Sequence, residues 1–255
     1  MAIRSSLSIA GLIATCLALG ACRAGPAPRT ESACEQRRFE GSLFTLCRYD
    51  AKAHEIELLL DEAGTPLRSF ARLEAHLGPR APRLRFAMNA GMYDDRGMPI
   101  GLYVEKGRER RSLNRRDGSG NFHMKPNGVL AAGADGKLTI VPSEEWAARA
   151  RKPRWATQSG PMLVVHGRLH PMIRPNGESL HIRNGVGLVD GRSAWFAISE
   201  EPVSFGRFAR LFRNGLGCRE ALYFDGAVSS LWDPPAGRRD SSHQIGPMVA
   251  VFARP

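Results

Sequence analysis

The chain lacks the short signatures that announce most nucleotide, acyl-transfer and metalloprotease chemistry. It has no phosphate loop ending in Gly-Lys-Ser/Thr, no Gly-x-Ser-x-Gly elbow, no His-Glu-x-x-His pair and no dinucleotide-binding glycine pattern behind a strand. It also has no Cys-x-x-Cys, which argues against a zinc ribbon or thioredoxin-like centre. Acidic residues are in short supply: 25 Asp and Glu stand against 36 Lys and Arg, for a formal charge of +11. That excess favours an anionic partner. It is scattered through Arg108/Arg110/Arg111, Arg115/Arg116, Arg149/Arg151/Lys152/Arg154 and Arg238/Arg239, without interleaved aromatics, so nucleic acid is disfavoured. No internal repeat or low-complexity run is present, and 255 residues suit one folded domain.

No apolar run reaches the roughly 20 residues needed to cross a bilayer. The longest, Leu7 to Leu19 behind Arg4, reads instead as an export signal occupying residues 1–21. It ends in Leu19-Gly-Ala-Cys22, which looks like a bacterial lipobox with Cys22 as the lipidated first mature residue. The expectation is a lipid-anchored envelope protein, with Arg23 pointing to the outer membrane if the host has one. Residues 22–37 then form the lipidated N-terminus and flexible tether, and 38–255 the domain. Three cysteines remain for an oxidising compartment. A local Cys34–Cys47 disulfide is expected, leaving Cys218 as a buried small hydrophobe, with Cys47–Cys218 as the alternative pairing.

Alternating apolar residues predict strands at Ser42–Tyr49, His54–Leu60, Leu84–Asn89, Ile100–Glu105, Gly128–Ala132, Lys137–Val141, Met162–His166, Ile182–Val189, Ala194–Ser199, Ala221–Phe224 and Met248–Phe252. Helices are predicted at Ser69–His76, after Ser143, and after Ser204, where Phe205, Phe208, Leu211 and Phe212 recur at helical spacing. The fold class is therefore α+β, a single domain on a mainly antiparallel or mixed sheet with a few helices. His166 and His170 have a metal-like spacing, but Gly167 between them points to a hairpin turn.

Five segments place polar residues at strand ends within glycine-rich sequence. Phe86-Ala-Met-Asn-Ala-Gly-Met-Tyr93 delivers Asn89 and Gly91, and Asn121-Phe-His-Met-Lys-Pro-Asn-Gly128 gathers His123, Lys125 and Asn127. Thr157-Gln-Ser-Gly-Pro-Met162 and His181-Ile-Arg-Asn-Gly-Val-Gly187 put Gln158, Ser159 and Arg183 ahead of strands, and Tyr223-Phe-Asp-Gly-Ala-Val-Ser-Ser230 sets Asp225 and Ser229 behind one. Each alone is ordinary turn chemistry. Five together point to function gathered on loops over a rigid sheet.

In this order the segments resemble the phosphodiester glycosidase family, from about Arg38 to the C-terminus. The matching pieces are Asn89-Ala-Gly91, Pro99-Ile-Gly-Leu-Tyr-Val-Glu-Lys-Gly107, Pro126-Asn-Gly128, Gln158-Ser-Gly-Pro-Met-Leu163, Arg183-Asn-Gly-Val-Gly187 and Asp225-Gly-Ala-Val-Ser-Ser230. Ala227 departs from the small glycine-type position usual there. The resemblance implies hydrolysis between an anomeric carbon and a phosphate, with an anionic glycan as substrate. It gives catalytic roles to Asp225, which would orient water or stabilise the sugar cation, and to Arg183, which would hold the phosphate. His123 would be a proton shuttle, while Asn89, Gly91, Asn127, Gln158, Ser159 and Ser229 would line the substrate site. No cofactor or metal is implied, although Asp225 or Asp94 with Asp95 leaves calcium open. The rival reading is a non-catalytic lipoprotein that binds anionic glycans in the same cleft.

Overall fold

The computed structural model describes residues 1, 31–148 and 151–255, so the expected leader, Cys22 and its lipid lie outside the described residues. Strand Met248–Ala253 shows how period-two sequence builds the body. Val249 and Val251 enter one apolar cluster, while Met248, Ala250 and Phe252 enter another. A strand with both faces covered must lie inside a layered structure, and this one has a paired strand on each side.

Among the described residues three large antiparallel sheets form the body, with a two-stranded ribbon, Asp61–Glu62 and Thr65–Pro66, beside them in sequence. The first runs in the order Cys34–Phe39, Ser42–Asp50, Ser193–Ser199, Asn184–Leu188, Glu220–Tyr223, Met162–Val165 and Arg168–Leu169. The second runs Leu138–Pro142, Gly128–Ala132, Trp155–Ser159, Tyr103–Glu105 and Arg108–Arg111. The third runs Arg238–Arg239, Leu231–Asp233, Leu84–Asn89, Met248–Ala253 and His54–Leu59. Tyr49, Phe196 and Phe224 from the first sheet or its edge meet Leu130 and Trp155 of the second and Phe86 and Val249 of the third in one shared core. The mainly antiparallel α+β architecture is thus what the alternation indicates.

Two helices close the outer faces. Phe70–Leu77 starts at Ser69, whose hydroxyl accepts the Arg72 N–H at 3.2 Å, and lays Phe70, Leu73 and Leu77 against Trp232 and Phe252. Phe205–Arg210 starts at Ser204 in the same way and continues into a wider turn at Leu211–Gly215, with Phe208 and Phe212 packed on Phe44. The third helix, Ser143–Ala147, differs from expectation: Pro142 holds the cap position and the Ser143 hydroxyl accepts instead from Gln158 Nε2 at 3.0 Å.

Two further differences concern boundaries. Cys34–Phe39 is already a strand paired with Ser42–Asp50, so ordered structure begins ahead of residue 38. Its side chains are mostly exposed and charged, which hides the strand from any apolar pattern. Cys34 and Cys47 face each other in that pairing and are disulfide-bonded, while Cys218 is free and buried. Thr157, Gln158 and Ser159 precede the strand Met162–Val165 as expected, but they also belong to a strand of their own, Trp155–Ser159, buried throughout.

Candidate active site

Antiparallel pairing brings the polar strand ends together. Asn184 opens a strand whose neighbour ends at Tyr223, with Gly185 opposite Tyr223, so Arg183 and Asp225 follow at the same end of the sheet. The two are joined through the backbone at the next step, where Phe224 N–H donates to Asn184 O at 3.1 Å. Asn89 closes its own strand beside them, since the Asp225 N–H donates to Ala90 O at 3.1 Å.

Asn89 is the junction of three segments. Its Nδ2 donates to Asp225 O at 2.8 Å, and its Oδ1 accepts from Ser230 N–H at 2.8 Å and Asn184 Nδ2 at 2.7 Å. A buried amide used on both sides in this way fixes loop against loop. Ser229 Oγ lies within hydrogen-bond distance of Ile182 O, Asn184 Oδ1 and Gly226 O, at 3.1, 3.2 and 3.3 Å. It has one proton to give, so two of those oxygens stay available to another donor.

Asp225 is half-buried, and among the described residues its side chain takes one hydrogen bond, from Ala227 N–H to Oδ1 at 3.2 Å. Burial raises its pKa from the ordinary carboxylate value, and the Ala227 N–H works against that. The carboxylate also bears on two phenols, contributing to the raised pKa values of Tyr223 and Tyr93, where burial is the larger cause. Gly226 has no room for a side chain, because a Cβ there would meet the Tyr223 hydroxyl.

Arg183 is wholly buried. Its Nε donates to Val203 O at 2.8 Å, Nη1 to Tyr223 Oη at 3.1 Å and Nη2 to Ser179 O at 2.7 Å, while the Phe205 ring centre lies 3.6 Å from Cζ. The phosphate-holding role that the resemblance gives Arg183 is therefore not open to a direct contact in this arrangement, because protein occupies the edges of the guanidinium fork. No carboxylate lies within salt-bridge distance of it among the described residues. Burial lowers its pKa, partly countered by Tyr223. A buried cation held by neutral acceptors projects positive potential into its surroundings and favours a nearby anion.

The remaining expected residues divide. Gln158 is buried with every polar atom engaged: Oε1 accepts from Leu102 N–H at 3.0 Å and Asn114 N–H at 2.9 Å, and Nε2 donates to Asn114 O at 2.7 Å and to Ser143. It holds the second sheet's end together and has no group left for a ligand. Asn127 is also buried and donates to Phe122 O at 2.8 Å. Gly91 lies against Thr157 and Gln158 so closely that a Cβ would collide with both, which locks the Asn89 turn onto that sheet. Ser159 is buried and its hydroxyl has no partner among the described residues. His123 turns towards another loop, with Nδ1 3.0 Å from Arg116 O and its ring covering Gly118, and Lys125 Nζ pairs with Asp117 at 2.7 Å. Sequence reasoning missed Asn184, Tyr223 and Phe205. Asn184 and Tyr223 lay inside the segments singled out, but a Tyr at an apolar strand end and a Phe in an aromatic stripe look like core.

Among the described residues no cluster of three or more His, Cys, Asp or Glu could hold a metal ion. Asp94 spends Oδ1 on the Arg96 and Met98 N–H groups, each at 3.0 Å. The site offers one carboxylate, one shielded cation and a rigid frame of amides, a set suited to displacing an acidic leaving group.

The fold and site define a protein of sheet-framed α+β architecture with its polar strand ends gathered at one place, and the comparisons supply its family. The phosphodiester glycosidase family model matches residues 83–251, and the chain belongs to that family. Over 150 residues it is 37% identical to the uncharacterized protein YigE of Escherichia coli (strain K12), covering 59% of this chain and 58% of that protein. The chain thus spans little more than half of that relative's length. The zebrafish N-acetylglucosamine-1-phosphodiester alpha-N-acetylglucosaminidase catalytic domain superposes with a TM-score of 0.58 at 10% identity, over 87% of this chain and 82% of that one. A hypothetical protein from Synechocystis gives 0.55 at 12% identity, over 87% and 61%. At these identities the structural matches speak for the fold.

Proposed function

We propose that the chain hydrolyses sugar-1-phosphodiesters at the bond between the anomeric carbon and the phosphate oxygen. The observation that carries the reading is Asp225, a half-buried carboxylate with a single protein hydrogen bond, which shares the Tyr223 phenol as a neighbour with a buried arginine that has no carboxylate partner. Water attacks the anomeric carbon, the carbon–oxygen bond to phosphate breaks, and the phosphate monoester leaves with the electron pair while the water proton passes to Asp225. A phosphate leaving group needs little protonation, so one carboxylate suffices where ordinary glycosidases employ two. Arg183 acts on the departing charge through its field and by holding Tyr223, which makes it a positioning residue. Asn89, Asn127, Gln158 and Gly91 hold the loops, and Ser229 Oγ is the hydroxyl best placed to turn towards substrate.

The test is release of reducing sugar from a panel of sugar-1-phosphodiesters, beginning with N-acetylglucosamine because the zebrafish neighbour acts on it by name. Asp225→Asn should lose at least about 100-fold in kcat with KM little changed, as for an interaction made mainly in the transition state. Full activity in that variant would refute the assignment. Anchoring by a lipid on Cys22 and a cell-envelope location are proposed with it. Metabolic lipid labelling that marks the wild type and not Cys22→Ala would support them, and an unlabelled wild type would overturn them.

A further inference from the structure

Apart from the N-terminal Met1, three large apolar side chains among the described residues are markedly exposed, and two of them, Met172 and Leu180, lie in one connection. This connection runs from the end of strand Arg168–Leu169 to the start of strand Asn184–Leu188 and contains no regular element beyond turns and the His181–Val203 bridge. Long irregular connections in compact domains are usually functional. This one is pinned at several points. Arg210 Nη1 donates to Pro175 O at 2.7 Å, Gly206 admits the Arg174 and Pro175 backbone where a Cβ would collide, and Ser179 O accepts from Arg183. These ties fix the backbone of the connection, so that the exposed Met172 is presented from an anchored loop.

Met124, Met172, Ile173 and Phe205 line a recess of about 300 Å³ here, with Arg174 and Glu178 also on its wall. Phe205 is the shared wall with the candidate active site: it stacks on Arg183 and meets the Tyr223 ring edge-on at 4.7 Å. A ligand in the recess therefore lies one aromatic ring away from the buried cation. Two methionines give such a wall a pliable, sequence-tolerant surface for alkyl groups. An apolar recess with Arg174 on its wall and the buried Arg183 behind Phe205 combines space for an alkyl group with a positive field, which fits an amphiphile whose phosphate sits beside a hydrocarbon chain.

We infer that this recess is the aglycone subsite and that the preferred substrates are sugar-1-phosphodiesters whose second ester carries an alkyl or isoprenoid-like chain. The inference rests on the hydrolase reading, yet the recess can be tested without turnover. In the first arm, the sugar-1-phosphate whose diesters are hydrolysed best is presented as its methyl, hexyl and decyl esters. In the second, ethyl, hexyl and decyl phosphate, kept below micelle-forming concentrations, are titrated calorimetrically. Each methylene that becomes buried should tighten binding or raise kcat/KM about two- to fourfold until the recess is filled. Met172→Ser and Met124→Ser should flatten that dependence, and Val189→Ser, an exposed apolar residue elsewhere, should leave it intact.

Chain-length-dependent binding without hydrolysis of any ester would keep the subsite and overturn the proposed reaction. Hydrolysis with no dependence on chain length in either arm would keep the reaction and overturn the subsite. A dependence that survives both methionine substitutions, or one that appears only as adsorption to lipid vesicles, would likewise overturn it.

Discussion

Replacing Asn89 by alanine should be among the most damaging single changes away from the hydrophobic clusters, and the structure says by how much. The amide is 1% exposed and makes three hydrogen bonds, to Asp225 O, Ser230 N–H and Asn184 Nδ2. Asn184 Nδ2 keeps a second acceptor in the Asn89 main-chain carbonyl at 3.1 Å and Asp225 O keeps the Val228 N–H at 3.3 Å, so of the three partners only the Ser230 N–H is orphaned. At about 1–3 kcal/mol for a buried unsatisfied group, the loss should be about 2 kcal/mol. For a body of this size that corresponds to a fall in Tm of about 6 °C. Urea unfolding of wild type and variant, with equal slopes and a shifted midpoint, reads it directly. Because the orphaned group lies in the loop that carries Asp225, turnover should fall well beyond the unfolded fraction, and Asn89→Asp, which loses the donor and adds a like charge, should be no better. A stability loss below about 1 kcal/mol, or full activity in folded Asn89→Ala, would refute the view that this amide organises the site.

Asp225→Asn should stabilise the protein while inactivating it. The folded carboxyl has a raised pKa, so wild type loses stability as pH climbs from the unfolded carboxylate value through the folded one; the asparagine variant's gain should be full at neutral pH and vanish in acid, as thermal unfolding against pH will show. Arg183→Lys keeps the charge but abandons the bonds to Val203, Tyr223 and Ser179, so it should lower kcat more than it raises KM and should also lower Tm. His166 lies between Glu145 at 2.8 Å and Glu220 at 2.9 Å, a geometry served by the doubly protonated ring, with Glu145 the larger cause of its raised pKa. Its contribution, under about 1 kcal/mol at this exposed position, should be present below the ordinary histidine value and lost as pH rises through the folded one, a slope that His166→Gln removes. Breaking Cys34–Cys47, which closes a separation of 13 residues, should cost about 3 kcal/mol in unfolding under oxidising conditions.

The parts of the fold legible in the sequence are those where one face of a strand is apolar and the other is not, or where an apolar run is bounded by turns. Leu84–Asn89 and Gly128–Ala132 are observed with the bounds their sequence indicates. The strands that escaped notice fail that condition in opposite ways. Arg108–Arg111 is exposed and charged along its whole length, whereas Trp155–Ser159 is buried along its whole length, polar residues included. In the second case tertiary context overrides the pattern, because Gln158 satisfies its amide with Leu102, Asn114 and Ser143 from three separate stretches of chain. Nothing local announces such partners.

The same distinction explains how the site was half legible. Segment positions could be read because strand ends and glycines are local features, but the division of labour within them depends on which polar groups the fold itself consumes. Asn89, Asn127 and Gln158 have their amides turned inward, and Arg183 is sealed beneath Phe205, so what reads in sequence as a row of ligand-facing groups is largely a scaffold. Asp225 stands apart because it is the carboxylate of the set, with unspent acceptor capacity while partly withdrawn from water. A carboxylate costs free energy to keep in that condition, and a frame of saturated amides is what prevents it from relaxing towards solvent or a neighbouring donor. The scaffold residues and Asp225 are thus complementary. Substitution in the frame should register first in stability and through it in rate, whereas substitution of Asp225 should move rate and stability in opposite directions.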